Sequence, residues 1–329
     1  MDVFNAFRIF NENDKIAGRV VETRLEELSP GEVVFKTAYS SVNYKDALAG
    51  TGTGGKIIRN YPLTGGIDAA GIIVSSSDSR FKAGDEIICT SYDMGVAHDG
   101  GYGEYCRVPA DWVVPSPPGL SLFEAMALGT AGYTAGLAVQ LLELNGLSPA
   151  NGKVLVNGAT GGVGSLAIDM LARNGYDIVA VTGKEAEQDF LKTLGAREVL
   201  LRQNIDYGKR PLEKAAWAAA FDSVGGDQLG WLTRTMQPHG LIASFGNAAG
   251  IKLETTVLPF ILRGVRLLGV DSAYTPMAER RKVWQRLGSD LKPPHLASIA
   301  HTIHLQDLPA QFEKTLKGAV KGRAVVEPS

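Results

Sequence analysis

The sequence predicts an α/β protein in which a doubly wound parallel sheet is joined to a β-rich domain. Three observations carry that reading. Between residues 153 and 270, short apolar runs alternate with helix-period segments, the pattern of parallel strands connected by helices. The first 118 residues instead hold short β-type runs separated by glycine and proline turns. Between the two regions, Pro115-Ser116-Pro117-Pro118-Gly119 is a breaker and marks a domain boundary.

In chain order, strands are expected at 33–38, 72–75, 86–90 and 105–108. Past the breaker, 122–128 and 134–143 read as helices, with Gly129 and Gly132 between them. Strands follow at 154–157, 178–181, 199–201, 219–222 and 241–245. Helices fall between them, such as 186–194 with Gly195 as its cap. The stretch 255–263 reads as a helix, 265–270 as a strand, 277–288 as a charged helix and 323–326 as a short strand. The tail does not extend the alternation, so it is expected to return to the first domain. The expected division is 1–118 for the first part of the β-rich domain, 119–258 for the parallel-sheet domain and 259–329 for the return.

The most informative stretch is KVLVNGATGGVGSLAIDMLARNGYDIVAVTGK, residues 153–184. It reads as strand, glycine turn, helix and strand, the opening of a dinucleotide-binding βαβ unit. Set against G-x-G-x-x-G, Ala159 stands first, and Gly161 and Gly164 fill the other two places. Gly158 and Gly162 add freedom. Such glycines let the backbone bend tightly and approach a pyrophosphate, whose charge then sits on the N–H groups of the helix start. Ala159, Thr160, Gly161, Gly162 and Val163 are therefore expected cofactor contacts. In the helix, Val163, Leu166, Ala167, Met170 and Leu171 recur at three- and four-residue steps and predict one buried face, with Gly175 just past its end.

The second strand bears on which cofactor is bound. NAD sites usually place an Asp or Glu about 20 residues beyond the glycines, on the ribose 2′-OH, and that carboxylate would repel a 2′-phosphate. Here the strand ends in Thr182, Gly183 and Lys184, which offer a hydroxyl, a backbone N–H and an ammonium. Arg202 can add a second cation. The pattern favours NADP(H); Glu185 argues mildly the other way.

With 329 residues and 45% hydrophobic content, the chain can bury the cores of two domains. A net charge of −2 with scattered Lys and Arg points to neither nucleic acid nor a membrane surface. Met1-Asp2-Val3 lacks the basic patch and apolar core of a signal peptide, and no apolar run is expected to approach the length of a membrane span. Cys89 and Cys106 are the only cysteines; they suit a reducing cytoplasm and sit in apolar, strand-like settings expected to be inert.

A β-rich N-terminal domain, a central dinucleotide-type sheet and a returning tail together resemble the medium-chain dehydrogenase/reductase superfamily. The matching stretches are Ser41-Val42-Asn43-Tyr44-Lys45-Asp46, Gly65-Gly66-Ile67-Asp68-Ala69-Ala70-Gly71, Gly129-Thr130-Ala131-Gly132-Tyr133-Thr134, Phe260-Ile261-Leu262-Arg263-Gly264-Val265 and Gly322-Arg323. They are most similar to the zinc-independent quinone oxidoreductase and acryloyl-CoA reductase branch, over essentially the whole chain. The resemblance implies a Rossmann domain beside a GroES-like catalytic domain, an NADP(H) cofactor, and a small-molecule acceptor that is an enoyl-CoA, an enone or a quinone. It also implies a homodimer in which the 265–270 strand pairs with its copy across a two-fold axis.

Zinc-dependent members of the superfamily place a first ligand, a Cys, near the position of Asn43 or Tyr44, and a second, a His, in a Gly-His-Glu segment. Here that segment is Gly66-Ile67-Asp68. Two separated cysteines cannot build the usual four-ligand structural cage either. His98 lies in a glycine-rich loop near Asp99 and reads as a polar surface residue, so no metal is expected.

A zinc ion would polarise an oxygen as a Lewis acid. A conjugated acceptor needs less help. Hydride adds to its β-carbon, and the charge spreads to a distant carbonyl oxygen that hydrogen-bond donors can stabilise. By resemblance, Asn43 and Tyr44 lie beside the nicotinamide and the acceptor. Tyr44 either donates to the carbonyl, the enolate or the α-carbon, or packs with its hydroxyl on a backbone carbonyl. Lys45 and Asp46 would fix the loop. Thr130 and Thr134 are implied contacts of the nicotinamide or pyrophosphate, Val224, Phe245, Gly246 and Asn247 of the cofactor edge, and Val270 and Ser272 of the carboxamide. Arg323 would reach the cofactor or close the cleft, and it counts as catalytic with Asn43 and Tyr44. Arg59 would meet a CoA phosphate or a carboxylate, or form a structural ion pair. A non-catalytic NADPH-binding redox sensor and a carbonyl or alcohol dehydrogenase are the alternative readings.

Overall fold

The computed structural model describes residues 3–53, 55 and 57–328, so Met1 and Asp2 of the leader reading lie outside it. In chain order the described elements begin with strands β1 (Phe4–Glu12), β2 (Lys15–Thr23) and β3 (Val33–Ser41), helix α1 (Tyr44–Thr51), and strands β4 (Leu63–Thr64), β5 (Asp68–Ser76), β6 (Glu86–Thr90), β7 (Tyr105–Val108) and β8 (Val113–Pro115). Helix α2 (Leu122–Leu144) leads to β9 (Lys153–Val156), α3 (Gly162–Arg173), β10 (Asp177–Thr182), α4 (Gln188–Thr193), β11 (Glu198–Leu201), β12 (Trp217–Asp222), α5 (Gly226–Thr235), β13 (Met236–Ser244), α6 (Leu258–Arg263) and β14 (Arg266–Gly269). The chain closes with α7 (Met277–Leu287), α8 (Leu296–Ile299), β15 (Ala300–His304), α9 (Leu308–Leu316) and β16 (Arg323–Glu327).

By contacts the chain divides into two units, one of Met1–Ala131, Ala273–Gly288 and Leu296–Ser329, the other of Gly132–Ser272 and Ser289–His295. The first unit carries a seven-stranded sheet, ordered β15-β16-β3-β5-β6-β8 with β7 also on β3, and a three-stranded sheet β2-β1-β4. The β1–β2 hairpin turns through Asn13 and Asp14, both at positive φ (52° and 64°). This is the two-residue mirror-image turn that suits the strand twist and tolerates these residue types. The sequence reading singled out neither of these strands. In the tail, Val325 pairs with Ser41 and Val326 with Ser40, so β16 runs beside the end of β3. On α7, Arg280, Val283, Trp284 and Leu287 are buried at one-turn spacing, so the charged helix has one core-facing stripe.

The second unit is a parallel six-stranded sheet ordered β11-β10-β9-β12-β13-β14, the doubly wound fold expected. Its strand order reverses at β9, where β10 and β12 flank it, and ligands of such sheets bind beyond the strand ends at that point. Leu155, Val179, Ala220, Trp231, Leu232 and Ile242 pack the core. The division differs from the expected one at both ends. β14 hydrogen-bonds to β13, so the unit reaches Ser272 rather than residue 258, and its contacts begin at Gly132 rather than residue 119.

Two further expectations change. Helix α3 is buried from Gly164 through Leu171, Ser165 and Asp169 included, rather than on one face. The segment after residue 288 covers the other side, where Asp169 accepts hydrogen bonds from the His295 backbone and ring (2.8 Å each). Helix α2 is long and apolar enough to cross a membrane by composition, with a mean hydropathy of 1.3 over 18 residues, contrary to the expectation that no such run exists. Of that window 78% is buried in the protein, so its apolar side chains serve a core. The two expected helices are one element broken at Gly129, whose φ of 51° and ψ of −154° are not helical.

Candidate functional site

In the first unit the end of β3, the start of α1, the break in α2 and the start of β16 converge on Asp68, the first residue of β5. Its carboxylate accepts four hydrogen bonds: to Oδ2 from Ser41 Oγ (2.6 Å), Asn43 Nδ2 (2.7 Å) and the Thr130 N–H (2.9 Å), and to Oδ1 from Thr130 Oγ1 (2.5 Å). The Arg323 guanidinium lies 3.8 Å from Oδ2. Arg323 also donates to Ser41 Oγ, Asn43 Oδ1 and the carbonyls of Val42 and Ala127. Only glycine fits at position 129: besides the positive φ, a β-carbon there would stand 2.5 Å from Asp68 Oδ2 and from Ser41 Oγ.

This arrangement revises Arg323. Only 4% exposed, with its donors spent on the protein, it is packed as a buried clamp, an arrangement that does not support the cofactor and catalytic roles expected of it. Asn43 likewise has both ends of its amide engaged. Tyr44, the next residue, begins α1 with 46% of its surface exposed, and among the described residues its hydroxyl has no hydrogen-bond partner. The packed alternative for Tyr44 is therefore not what the structure shows. Beneath it, buried Asp46 accepts from the N–H groups of Asn43 (2.8 Å) and Ile67 (2.9 Å) and so fixes the loop. Burial first, and then the nearby Asp68 carboxylate, push the Asp46 pKa up to about 7. Thr130 sits against Ser91, whose hydroxyl is 3.0 Å from its own.

In the second unit the glycine turn follows β9. The left-handed residue is Gly158 (φ 56°), and a β-carbon there would strike the Ser223 hydroxyl. Ala159 needs no such freedom, so alanine is tolerated at the first fingerprint position. Ala159 is fully buried and gives its N–H to the Val181 carbonyl, and the Gly161 N–H goes to the Gly158 carbonyl. Neither amide therefore faces a ligand, contrary to expectation. The amides of Gly162 and Val163 lie in the first turn of α3, where an α-helix has no internal acceptor for them. Thr160 is buried beside them.

At the end of β10, Thr182 Oγ1 accepts the Lys184 N–H (3.0 Å). Arg202 reaches over from the end of β11. Its guanidinium lies against Gly183, where an added β-carbon would be 2.9 Å from Nη2. Among the described residues Arg202 is exposed and joins no ion pair. Thr182, Gly183, Lys184 and Arg202 thus form one corner. A second polar cluster closes the strand ends. Asp222 accepts from Asn157 Nδ2 (2.6 Å), from the N–H groups of Val224 and Gly225, and from Ser244 Oγ (3.1 Å). The sequence reading missed Asn157 and Asp222, although polar residues ending two central strands were a signal. Val224 is buried, its N–H spent on Asp222. Phe245, Gly246, Asn247 and Val270 line an open cleft of about 680 Å³ with Ser244, Gly269 and Asp271. Ser272 follows, half-buried, and Thr134 is buried in α2.

Fold and site together define the class, an oxidoreductase of the alcohol dehydrogenase type. Residues 29–118 match the alcohol dehydrogenase GroES-like domain and residues 162–289 the zinc-binding dehydrogenase domain. The chain is 49% identical to YhfP of Bacillus subtilis (strain 168), named as a quinone oxidoreductase, over 99% of each chain. It is 45% identical to acrylyl-CoA reductase AcuI of Ruegeria pomeroyi, also over 99% of each. The Salmonella enterica YhdH oxidoreductase, crystallised in complex with NADP, superposes with a TM-score of 0.95 at 44% identity, covering 98% of this chain and 99% of that one. YhfP, crystallised with NAD bound, gives 0.97 at 48%, covering 99% and 100%. The chain belongs to the medium-chain dehydrogenase/reductase family, in the quinone oxidoreductase and acrylyl-CoA reductase branch.

One matching domain is described as zinc-binding, and the residues here do not fit that ion. By the resemblance drawn from the sequence, Ile67 takes the place of the histidine of metal-binding members, and Asn43 or Tyr44 that of a cysteine. Cys89 and Cys106 are buried and free. Burial pushes both thiols up, Cys106 to about 12, and Cys106 donates to the Gly100 carbonyl. His98 is not a surface residue as expected. It is 8% exposed, with its two ring nitrogens 2.9 Å from the carbonyls of Asp99 and Pro30. The Asp99 carboxylate is occupied by Ser29 and the Thr64 N–H. Among the described residues no three His, Cys, Asp or Glu side chains are grouped to hold a metal. Arg59 forms an exposed ion pair with Asp93 (3.8 Å), the structural alternative.

Proposed function

We propose that this chain is an NADPH-dependent reductase of activated carbon–carbon double bonds or quinones that works without zinc. The observation that carries the reading is the corner formed by Thr182, Gly183, Lys184 and Arg202, with no carboxylate at the end of β10 to repel a 2′-phosphate. The α3 amides suit the pyrophosphate, and the cleft at the ends of β13 and β14 suits the nicotinamide half. When bound, NADPH supplies the hydride. The chain's own work is to hold the reactants in line and to donate to the oxygen that gains charge. Tyr44, exposed with an unengaged hydroxyl, is the donor in this reading; it gives its proton to the α-carbon as the enolate collapses and regains one from solvent. The AcuI name suggests acrylyl-CoA as the acceptor and the YhfP name a quinone.

The test is loss of NADPH absorbance over an acceptor panel, with products identified. Oxidation by acryloyl-CoA or a small quinone, and not by saturated aldehydes, is expected. Binding without oxidation across the panel favours a redox sensor instead, and equal rates on saturated aldehydes favour a carbonyl dehydrogenase.

Two further parts of the reading are the cytoplasm, which the unpaired thiols suit, and a homodimer. β14 is the edge strand of its sheet, and Val257, Ile261 and Leu262 beside it are about two-thirds exposed. A dimer mass by light scattering is expected; a monomer would refute it.

A further inference from the structure

We infer that Asp68 is the positioning residue of the site: its carboxylate, paired with Arg323, clasps the Asn43–Tyr44 turn to the Gly129–Thr130 break and holds both in register. This deepens the proposed function, since it rests on Tyr44 acting as the donor.

The geometry is that of a built hub. Asp68 is fully buried, and its carboxylate binds three separate segments, at Ser41 and Asn43, at Thr130, and through Arg323 at the start of β16. Their hydrogen-bond directions interlock. A carboxylate can only accept, so the Ser41 hydroxyl spends its proton on Asp68 and its lone pair receives Arg323 Nη2 (2.8 Å). The Asn43 amide is oriented the same way, with Nδ2 toward Asp68 and Oδ1 toward Arg323 Nη1 (3.2 Å). The Thr130 hydroxyl spends its proton on Asp68, which leaves Ser91 to donate to Thr130. Gly129 is bare where a β-carbon would push into the hub. An amide at position 68 has the same shape but turns one acceptor oxygen into a donor, so it faces N–H and O–H groups that already point at it. The side chain after Asn43 is Tyr44, so any relaxation of the hub moves the phenol. A displacement of about 1 Å is enough to cost about 100-fold in turnover.

The experiment compares wild type, Asp68→Asn, Tyr44→Phe and the double variant as full-length protein. With an acceptor from the panel, Asp68→Asn is expected to lower kcat about 100-fold while NADPH dissociation, read by fluorescence, stays within about twofold. Tyr44→Phe should then cost less than about threefold on top of Asp68→Asn, because a misplaced phenol has little left to lose. Full multiplication of the two losses, or a kcat unchanged by Asp68→Asn, overturns the inference. Should Asp68→Asn fail to fold, Thr130→Val removes one bond and keeps the backbone one; a loss of about tenfold is expected and none overturns it. Amide hydrogen exchange gives a readout independent of turnover. Asp68→Asn should speed exchange at residues 42–46 and 129–131 and leave 158–184 unchanged, and equal protection in both proteins refutes the clasp. If no acceptor oxidises NADPH but exchange changes as expected, the proposed function fails while the clasp stands.

Discussion

The Asp68 hub and the Lys184–Arg202 corner both gather charge, and they do so in opposite ways. In the hub a carboxylate and a guanidinium are sealed from water, and their bonding capacity is spent on neighbours in the same unit. In the corner Arg202 is exposed, has no acid partner among the described residues and rests on a bare glycine. Buried charge is costly unless paired and hydrogen-bonded, so a sealed pair holds parts in place. An exposed cation keeps its capacity for a ligand. Exposure and satisfaction therefore separate the groups that position from those that bind. Residue type alone cannot: Arg323 is buried and spent on its neighbours, while Arg202 is exposed and joins no ion pair among the described residues.

The comparison can be broken at the hub first. Gly129→Ala places a β-carbon against Asp68 and Ser41 in a backbone region that only glycine occupies readily. Strain and overpacking together should cost roughly 3–5 kcal/mol, read as a fall in the urea midpoint. A midpoint near that of wild type would mean that the hub yields easily and does not hold its neighbours.

At the corner the expected effect is smaller and selective. Lys184→Ala or Arg202→Ala should each weaken NADPH binding by about tenfold, the scale of one charge-assisted hydrogen bond, and leave NADH nearly unchanged. Equal losses for both cofactors would remove the phosphate role. Tighter binding of NADH by wild type would overturn the NADPH preference, a point sharpened by the NAD-bound YhfP structure.

The smallest effect concerns Asp46, beneath the hub. Its pKa is about 7 in the folded protein against an ordinary value of 3.8, raised by burial and by Asp68. The folded state therefore holds this proton more tightly than the unfolded chain. The resulting stability is fully present below the ordinary carboxylate range and is lost as pH rises through about 7. Tyr102 and Arg323 face the same space; burial pushes the Tyr102 phenol well above its ordinary value and pulls the Arg323 guanidinium below its own. Melting temperature should fall between pH 4 and pH 7 by a few degrees more in wild type than in Asp46→Asn, on the order of 2–4 °C per kcal/mol. Parallel slopes would show that Asp46 is not the group titrating.

The glycine turn, the strand–helix alternation and the Thr182–Lys184 strand end were legible because each is a local pattern. Periodicity, turn chemistry and nearest-neighbour charge are written along a short stretch of chain. Strands β6 and β7 lie where their runs predicted, at Glu86–Thr90 and Tyr105–Val108. The β1–β2 hairpin carries a local signal of the same kind in Asn13-Asp14. The reach of Arg202 to Gly183 was anticipated only in outline, since it depends on β11 lying beside β10.

By itself, then, the sequence determined the doubly wound sheet, the position of the glycine turn, the absence of an acid at the end of β10 and the kinship of the chain, since these depend on residues close together or on motif identity. Tertiary structure alone decided that Ser41, Asn43, Asp68, Thr130 and Arg323, scattered over 283 positions, form one hub. It also decided that Arg323 is buried with its donors spent on neighbours, that His98 is buried, and that α2 serves a core. The physical reason is common to these cases. Whether a polar group is spent or available depends on which partners burial brings to it, and those partners come from strands and helices that no local pattern connects.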